Sequence, residues 1–142
     1  MTQEDKDLLL KDLCARLPYG VKVAFFNEDL TYHSEPKTLT GIECINNLNY
    51  SSLEDEDGNT TIVEFVKPYL FPLSSMTDEQ KKKYNWLKHS VFVCHYEYGD
   101  VVEEIELYDS RESFEYLIVN HFDYRGLIER ELAIDATGLN IY

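Results

Sequence analysis

The sequence predicts an α+β domain: an antiparallel sheet of about four or five strands with about three helices packed on it. Three observations carry this. Stretches with helical capping signals and i, i+4 apolar spacing stand apart from stretches with period-2 alternation. The strand patterns run consecutively instead of alternating strictly with helices, which favours segregated α+β over a parallel βαβ sheet. The length, 142 residues, is that of one domain, enough to bury about two thirds of the surface of the unfolded chain. With no repeat or linker composition visible, a single globular domain over residues 1–142 is expected. Eleven Tyr, seven Phe and one Trp argue against disorder, because disordered chains are poor in aromatic side chains.

Residues 2–17 read as an amphipathic helix. Thr2 is its N-cap, Glu4, Asp5 and Asp7 sit near the positive end of the dipole, and Leu9, Leu13 and Leu17 form a stripe flanked by Leu10 and Cys14. Cys14 is therefore expected in the core. Pro18-Tyr19-Gly20 stops the helix, since proline disfavours a helical residue before it. A strand follows, with Val21, Val23 and Phe25 on a buried face and the mixed set Lys22, Ala24 and Phe26 on the other.

After a turn-rich stretch from Asn27 to Pro36, residues 38–48 read as a second strand, bent or bulged at Gly41. Residues 46–52 are polar and turn-forming, and Asp57-Gly58 makes a hairpin tip. A third strand over 60–66 is expected to pair antiparallel with the second, completing a meander. Residues 67–75 hold Pro68 and Pro72 among Tyr69, Leu70 and Phe71, so they read as apolar packed chain, neither helix nor central strand.

Thr77 and Gln80 form a capping box that opens a helix reaching about Lys88. Residues 91–98 alternate cleanly, with Phe92, Cys94, Tyr96 and Tyr98 opposed to Val91, Val93, His95 and Glu97. Gly99-Asp100 turns the chain into 101–108, a second hairpin. Asp109 and Glu112 suggest another helix start, with Phe114, Leu117, Ile118 and His121 as its stripe to about Phe122. A short turn or helix after Gly126 leads to Leu132-Ala133-Ile134 and an apolar tail.

Composition excludes several functions. With 13 basic against 27 acidic residues the net charge is −14, which repels phosphate backbones and anionic lipid. Neither direct nucleic-acid binding nor membrane association is expected. No stretch is long and apolar enough to span a bilayer, and an acidic N-terminus is unlike a secretory signal, so a cytoplasmic location is expected. Cys14, Cys44 and Cys94 are widely spaced, as reduced thiols are.

No catalytic residue is identified. The sequence has no G-x-S-x-G, P-loop, G-x-G-x-x-G or H-E-x-x-H. Cys94 and His95 are neighbours on a strand and point to opposite faces, so the histidine cannot serve the thiol as base; Cys94 reads as a core thiol. His89, Cys94, His95, His121 and Asp123 match no zinc spacing. The run 54–58 lacks the alternation of a calcium loop and reads as a solvated tip. No metal or cofactor is expected.

The densest segment is 121–128, His-Phe-Asp-Tyr-Arg-Gly-Leu-Ile. It reads either as a staple, with Arg125 paired to Asp123 or Glu129 and Gly126 a left-handed helix terminator, or as a recognition patch with Arg125 as anion anchor and His121 and Tyr124 as donors. This block, residues 67–77 (KPYLFPLSSMT) and the opening LPYGV at 17–21 resemble hallmark blocks of a large, functionally uncharacterised bacterial family common in gut anaerobes, their prophages and mobile elements. Phe71 and Asn120 stand where that family usually has arginine and histidine. The resemblance implies a mobile-element accessory protein, and implies that the two distant blocks meet in the fold.

Two functions follow as expectations. The first is a small acidic protein-interaction module, not an enzyme, binding a basic protein. The second is a small-ligand binder or enzyme whose pocket gathers Lys67, Tyr69, His121, Asp123, Tyr124 and Arg125. Oligomeric state is not legible in the sequence.

Overall fold

A computed structural model describes residues 1–45 and 50–142. Residues 46–49, which hold the end of the expected 38–48 strand and the first part of the polar 46–52 run, lie outside the described residues. The fold is α+β, with three α-helices, a mixed sheet and a two-stranded sheet among the described residues. Two compact units are present: Met1–Ser75 with His121–Tyr142, and Met76–Asn120.

The first unit opens with α1, Gln3–Arg16, whose N-cap Thr2 accepts from Asp5 N while the Asp5 carboxylate accepts from Thr2 N. This reciprocal cap satisfies donors that a helix start leaves orphaned. Leu9, Leu10 and Leu13 are buried, but so are Asp12 and Arg16, whereas Cys14 is exposed. The expected core position of Cys14 is thus corrected: it lies roughly 100° round the helix from Leu13, and the polar pair takes the buried arc instead. A 3₁₀ turn at Leu17–Tyr19 and left-handed Gly20 then end the helix.

β1 (Lys22–Phe25) pairs antiparallel with β2 (Lys37–Ile45) on one side and with β5 (Val66–Pro72) on the other. The β2 register shifts between Leu39 and Gly41, the bulge expected at the glycine. The strand that pairs with β2 is β3, Tyr50–Asp55, not 60–66; the latter holds only the two-residue β4 (Thr60–Thr61) and a 3₁₀ turn at Val63–Phe65. Hairpin pairing with β2 draws part of the polar 46–52 run into strand, overriding its turn-like composition.

A larger correction concerns residues 66–72. Far from being irregular, they form β5, a strand flanked on both sides, pairing antiparallel with β1 and parallel with β8 (Phe122–Asp123) and β9 (Ile134–Asp135). Pro72 is the last residue of the strand, and the backbone bonds come from the residues between the prolines: Phe71 N donates to His121 O and Leu70 O accepts from Ala136 N. The sheet is therefore mixed, where an antiparallel one was expected.

Alternation along β1 and β5 divides the core. Val21, Val23, Val66 and Leu70 join Leu9, Leu13, Leu53 and Leu127 in one buried cluster, so α1 packs on this face. Ala24, Tyr69 and Ala136 form a second cluster, with Phe26, Phe71, Ile134 and Ile141 against it. The C-terminal tail thus covers the other face, which is why Ala24 and Phe26 looked mixed in sequence.

The second unit contains α2 (Asp78–Leu87), β6 (His89–Glu97), β7 (Asp100–Tyr108) and α3 (Arg111–Val119). Thr77 and Gln80 form the expected capping box. β6 and β7 pair in continuous register from His89 opposite Tyr108 to Glu97 opposite Asp100. The turn is Tyr98-Gly99, with φ of 52° and 86°, both left-handed as a two-residue hairpin of the I′ type requires. The α3 cap is Ser110 with Ser113, in place of Asp109 with Glu112. Ser110 Oγ also donates to Leu87 O, and the Tyr84 hydroxyl donates to Asp109, so the two helices are tied across the base of the hairpin. Burial and the Asp109 carboxylate push the Tyr84 phenol up to about 12. The helix stops at Val119, short of the expected Phe122; His121 (φ 61°) is the first left-handed residue after it, and Gly126 (φ 72°) is left-handed as expected but lies beyond β8 and does not end the helix.

Candidate functional site

The parallel pairing of β5 with β8 sets the two unusual sequence blocks side by side, with Phe71 opposite Phe122 and Pro72 opposite Asp123. A polar cluster sits beneath this junction. Arg16, fully buried in α1, donates Nε to Asp12 Oδ2 at 2.7 Å and Nη2 to the Phe122 carbonyl at 2.7 Å. The other Asp12 oxygen accepts from Arg125 Nε at 3.2 Å. The Arg16 and Arg125 guanidiniums lie 5.7 and 4.7 Å from the centroid of the Tyr124 ring, within range of a cation–π attraction. One buried carboxylate therefore serves two guanidiniums. Arg125 pairs with α1, not with the neighbouring Asp123 or Glu129, because Asp123 is already used: its two oxygens accept from Leu127 N and Ile128 N, each at 2.9 Å.

His121 completes the cluster. Its ring stacks on Tyr142 with centroids 3.8 Å apart and planes 13° from parallel. The Tyr142 hydroxyl donates to Tyr69 O at 2.7 Å and accepts from Lys22 N at 2.9 Å, and burial pushes its phenol up. Burial, and then the Arg16 charge, lower His121 to about 4, so the imidazole is neutral at pH 7. Arg16 Nη1 and His121 Nδ1 are buried without a hydrogen-bond partner among the described residues.

The six residues singled out in sequence do not share one cavity. Tyr69, His121, Asp123, Tyr124 and Arg125 gather at the β5–β8 junction, whereas the Lys67 ammonium lies over the Phe26 ring, 5.3 Å from its centroid. Lys67 lines a hollow of about 530 Å³ near Arg130. Asp123 and Tyr124 line another of about 330 Å³ with Leu73 and Ile128. Neither is bordered by Tyr69, His121 or Arg125. Sequence reading missed Asp12, Arg16 and Tyr142. An available signal for the first two was an Asp and an Arg at i, i+4 spacing beside the apolar positions 9 and 13.

Elsewhere, Cys94 and His95 take opposite faces of β6, opposite Glu103 and Val102 respectively. Cys94 is exposed, which corrects its expected place in a core: both hairpin strands present this face to solvent. Among the described residues no group of three or more His, Cys, Asp or Glu side chains is arranged to hold a metal. At the 55–59 turn the Asp55 carboxylate accepts from Asp57 N, Asn59 N and Asn59 Nδ2, so its oxygens close the turn itself. No helix among the described residues is long and apolar enough to cross a membrane. Comparison with known proteins yields no match to a family model, a curated protein or a solved structure.

Proposed function

We propose that the chain is an acidic protein-interaction module whose docking surface is the outer face of the β6–β7 hairpin. Its occupant is a basic protein segment with regularly spaced apolar side chains. The observation that supports this reading is the hairpin's composition by face. Phe92, Tyr96, Val101, Ile105 and Leu107 share one side in register, and Phe92, Tyr96 and Ile105 are 62, 82 and 69% exposed. Cys94 and Glu103, opposite one another, sit on the same side between the Phe92–Ile105 and Tyr96–Val101 pairs. Exposed apolar groups clustered in this way mark interaction sites, and a two-stranded hairpin alone is only marginally stable in water. Residues 89–108 also carry Glu97, Asp100, Glu103, Glu104 and Glu106 with no Lys or Arg. Glu103 lies on the apolar side, while Glu97, Asp100, Glu104 and Glu106 lie on the other. Burial of the apolar side rewards docking, Glu103 offers a contact for a cation there, and the negative charge of the hairpin as a whole speeds a cationic partner's approach. A cytoplasmic accessory role on a prophage or mobile element is the setting this reading carries with it, from the resemblance of the two sequence blocks.

A labelled peptide alternating Leu and Lys, titrated by fluorescence anisotropy, provides the test. Binding that weakens at least tenfold with Ile105→Asp or Phe92→Asp, and weakens with added salt, is expected. A peptide with Glu in place of Lys is expected not to bind. Equal binding of both peptides, an indifferent Ile105→Asp variant, or concentration-dependent self-association that the same variant abolishes would overturn the proposal.

A further inference from the structure

The hollow beside Lys67, at about 530 Å³, has the volume of a small-molecule site, typically about 300–1,000 Å³. Its wall includes the apolar side chains of Leu30, Phe65 and Leu132 and the charged Lys67, Arg130 and Glu131. Most charge at its rim is already spent. Arg130 Nη1 is held by Asp5 at 3.1 Å and Glu4 at 3.5 Å, and Glu64 by Lys6. Lys67 and Glu131 differ: neither side chain has an ion pair among the described residues, and they do not pair with each other. Lys67, whose Nζ lies over the Phe26 ring, and Glu131 thus border one cavity with no ion-pair partner among the described residues, with Met1 also at its wall.

The backbone adds an independent observation. Leu30 (φ 60°) and Glu131 (φ 59°) are two of the five non-glycine residues with left-handed backbone among the described residues, and both border this hollow. Such a conformation costs about 1–2 kcal/mol per residue, and strained backbone of this kind concentrates at ligand sites. Leu30, a large apolar side chain that is half exposed, lines the cavity in this conformation.

We propose that this hollow binds a small zwitterion with an apolar body, of the apolar α-amino-acid class. The ligand carboxylate meets Lys67 Nζ, its ammonium meets the Glu131 carboxylate, and its side chain lies on Leu30, Phe65 and Leu132. Net charge favours this class over a simple acid: a chain of charge −14 repels an anion at long range, while a zwitterion is neutral overall and still offers both poles at contact. The proposal is independent of the hairpin surface, which belongs to the other unit.

Isothermal titration of the full chain with L-phenylalanine, N-acetyl-L-phenylalanine and phenethylamine tests it. L-Phenylalanine is expected to bind at one site per chain with little dependence on salt, and the two analogues, each lacking one pole, at least tenfold more weakly. Lys67→Gln and Glu131→Gln are each expected to lose at least tenfold in affinity. Glu131→Gly separates binding from folding: it removes the carboxylate and relieves the left-handed strain, so the melting temperature should hold while binding is lost. Absence of heat with L-phenylalanine, equal binding of either analogue, or unchanged affinity in the variants would overturn the proposal.

Discussion

Arg125 donates its Nε to Asp12, 113 residues earlier in the chain, and so joins the loop after β8 to the buried side of α1. Arg16 contacts the other oxygen of the same carboxylate. The three charges act as one unit whose balance depends on Asp12.

Asp12→Ala is expected to destabilise the first unit by about 3–5 kcal/mol, because it strands the fully buried Arg16 guanidinium without a counter-charge. Arg125→Ala should cost less, its side chain being partly exposed. The double change Asp12→Leu with Arg16→Met should recover much of the loss. Urea unfolding of the four proteins checks the ordering; an Asp12→Ala variant as stable as the parent would refute it.

Lowering pH should weaken the fold through His121. The neutral form is favoured in the folded state, with a value of about 4 against about 6.5 in the unfolded chain. Above about pH 6.5 both states carry neutral imidazole and nothing is lost. Between 6.5 and 4 the unfolded chain takes up the proton first, so stability falls as pH falls, by roughly 2–3 kcal/mol across the window. His121→Asn, tolerant of the left-handed backbone, should flatten that slope. Denaturant midpoints at pH 7 and pH 4.5 for the two proteins measure it.

Cys14 should alkylate slowly despite its exposure. Burial of the sulfur, and then the neighbouring Cys44, push its thiol up, so less thiolate is present at neutral pH. Both sulfurs border one hollow of about 340 Å³. Peptide mapping after brief iodoacetamide treatment should find Cys14 under-labelled at pH 7.5, with labelling rising steeply by pH 9.5. Cys44→Ser should speed the reaction at pH 7.5.

Tyr98 holds a left-handed conformation, with φ of 52°, that asparagine adopts with less strain. Tyr98→Asn is expected to stabilise the second unit by about 0.5–1 kcal/mol. Gly99→Ala should destabilise it by at least as much, its φ of 86° being one that alanine resists. Hydrogen exchange of the β6–β7 amides reads both effects.

What sequence conveys about this fold is local. Thr2 with Asp5 and Thr77 with Gln80 cap helices three residues apart, and the Gly41 bulge and the 91–108 alternation are set by nearest neighbours. What escapes is decided across long separations. β5 is held by strands more than 40 residues before it and up to 65 after it in the chain, and those partners override two prolines that locally argue against a strand. Asp12 carries a local signal only in Arg16, four residues on, whereas its other partner, Arg125, is 113 residues away. Likewise, Cys94 and its neighbours show the alternation of a buried strand, but alternation reports an amphipathic ribbon and cannot say whether anything covers it.

The second unit leaves the chain after Ser75 and returns at His121, while Phe71 and Phe122 stay paired in the first unit. Both attachment points thus converge on one seam whose hydrogen bonds the first unit supplies itself. This makes residues 76–120 a cartridge: shortening, replacing or exchanging them leaves the α1 core and the Asp12–Arg16–Arg125 cluster with every contact described above. Change within residues 76–120 and change within the first unit are thereby open to selection separately.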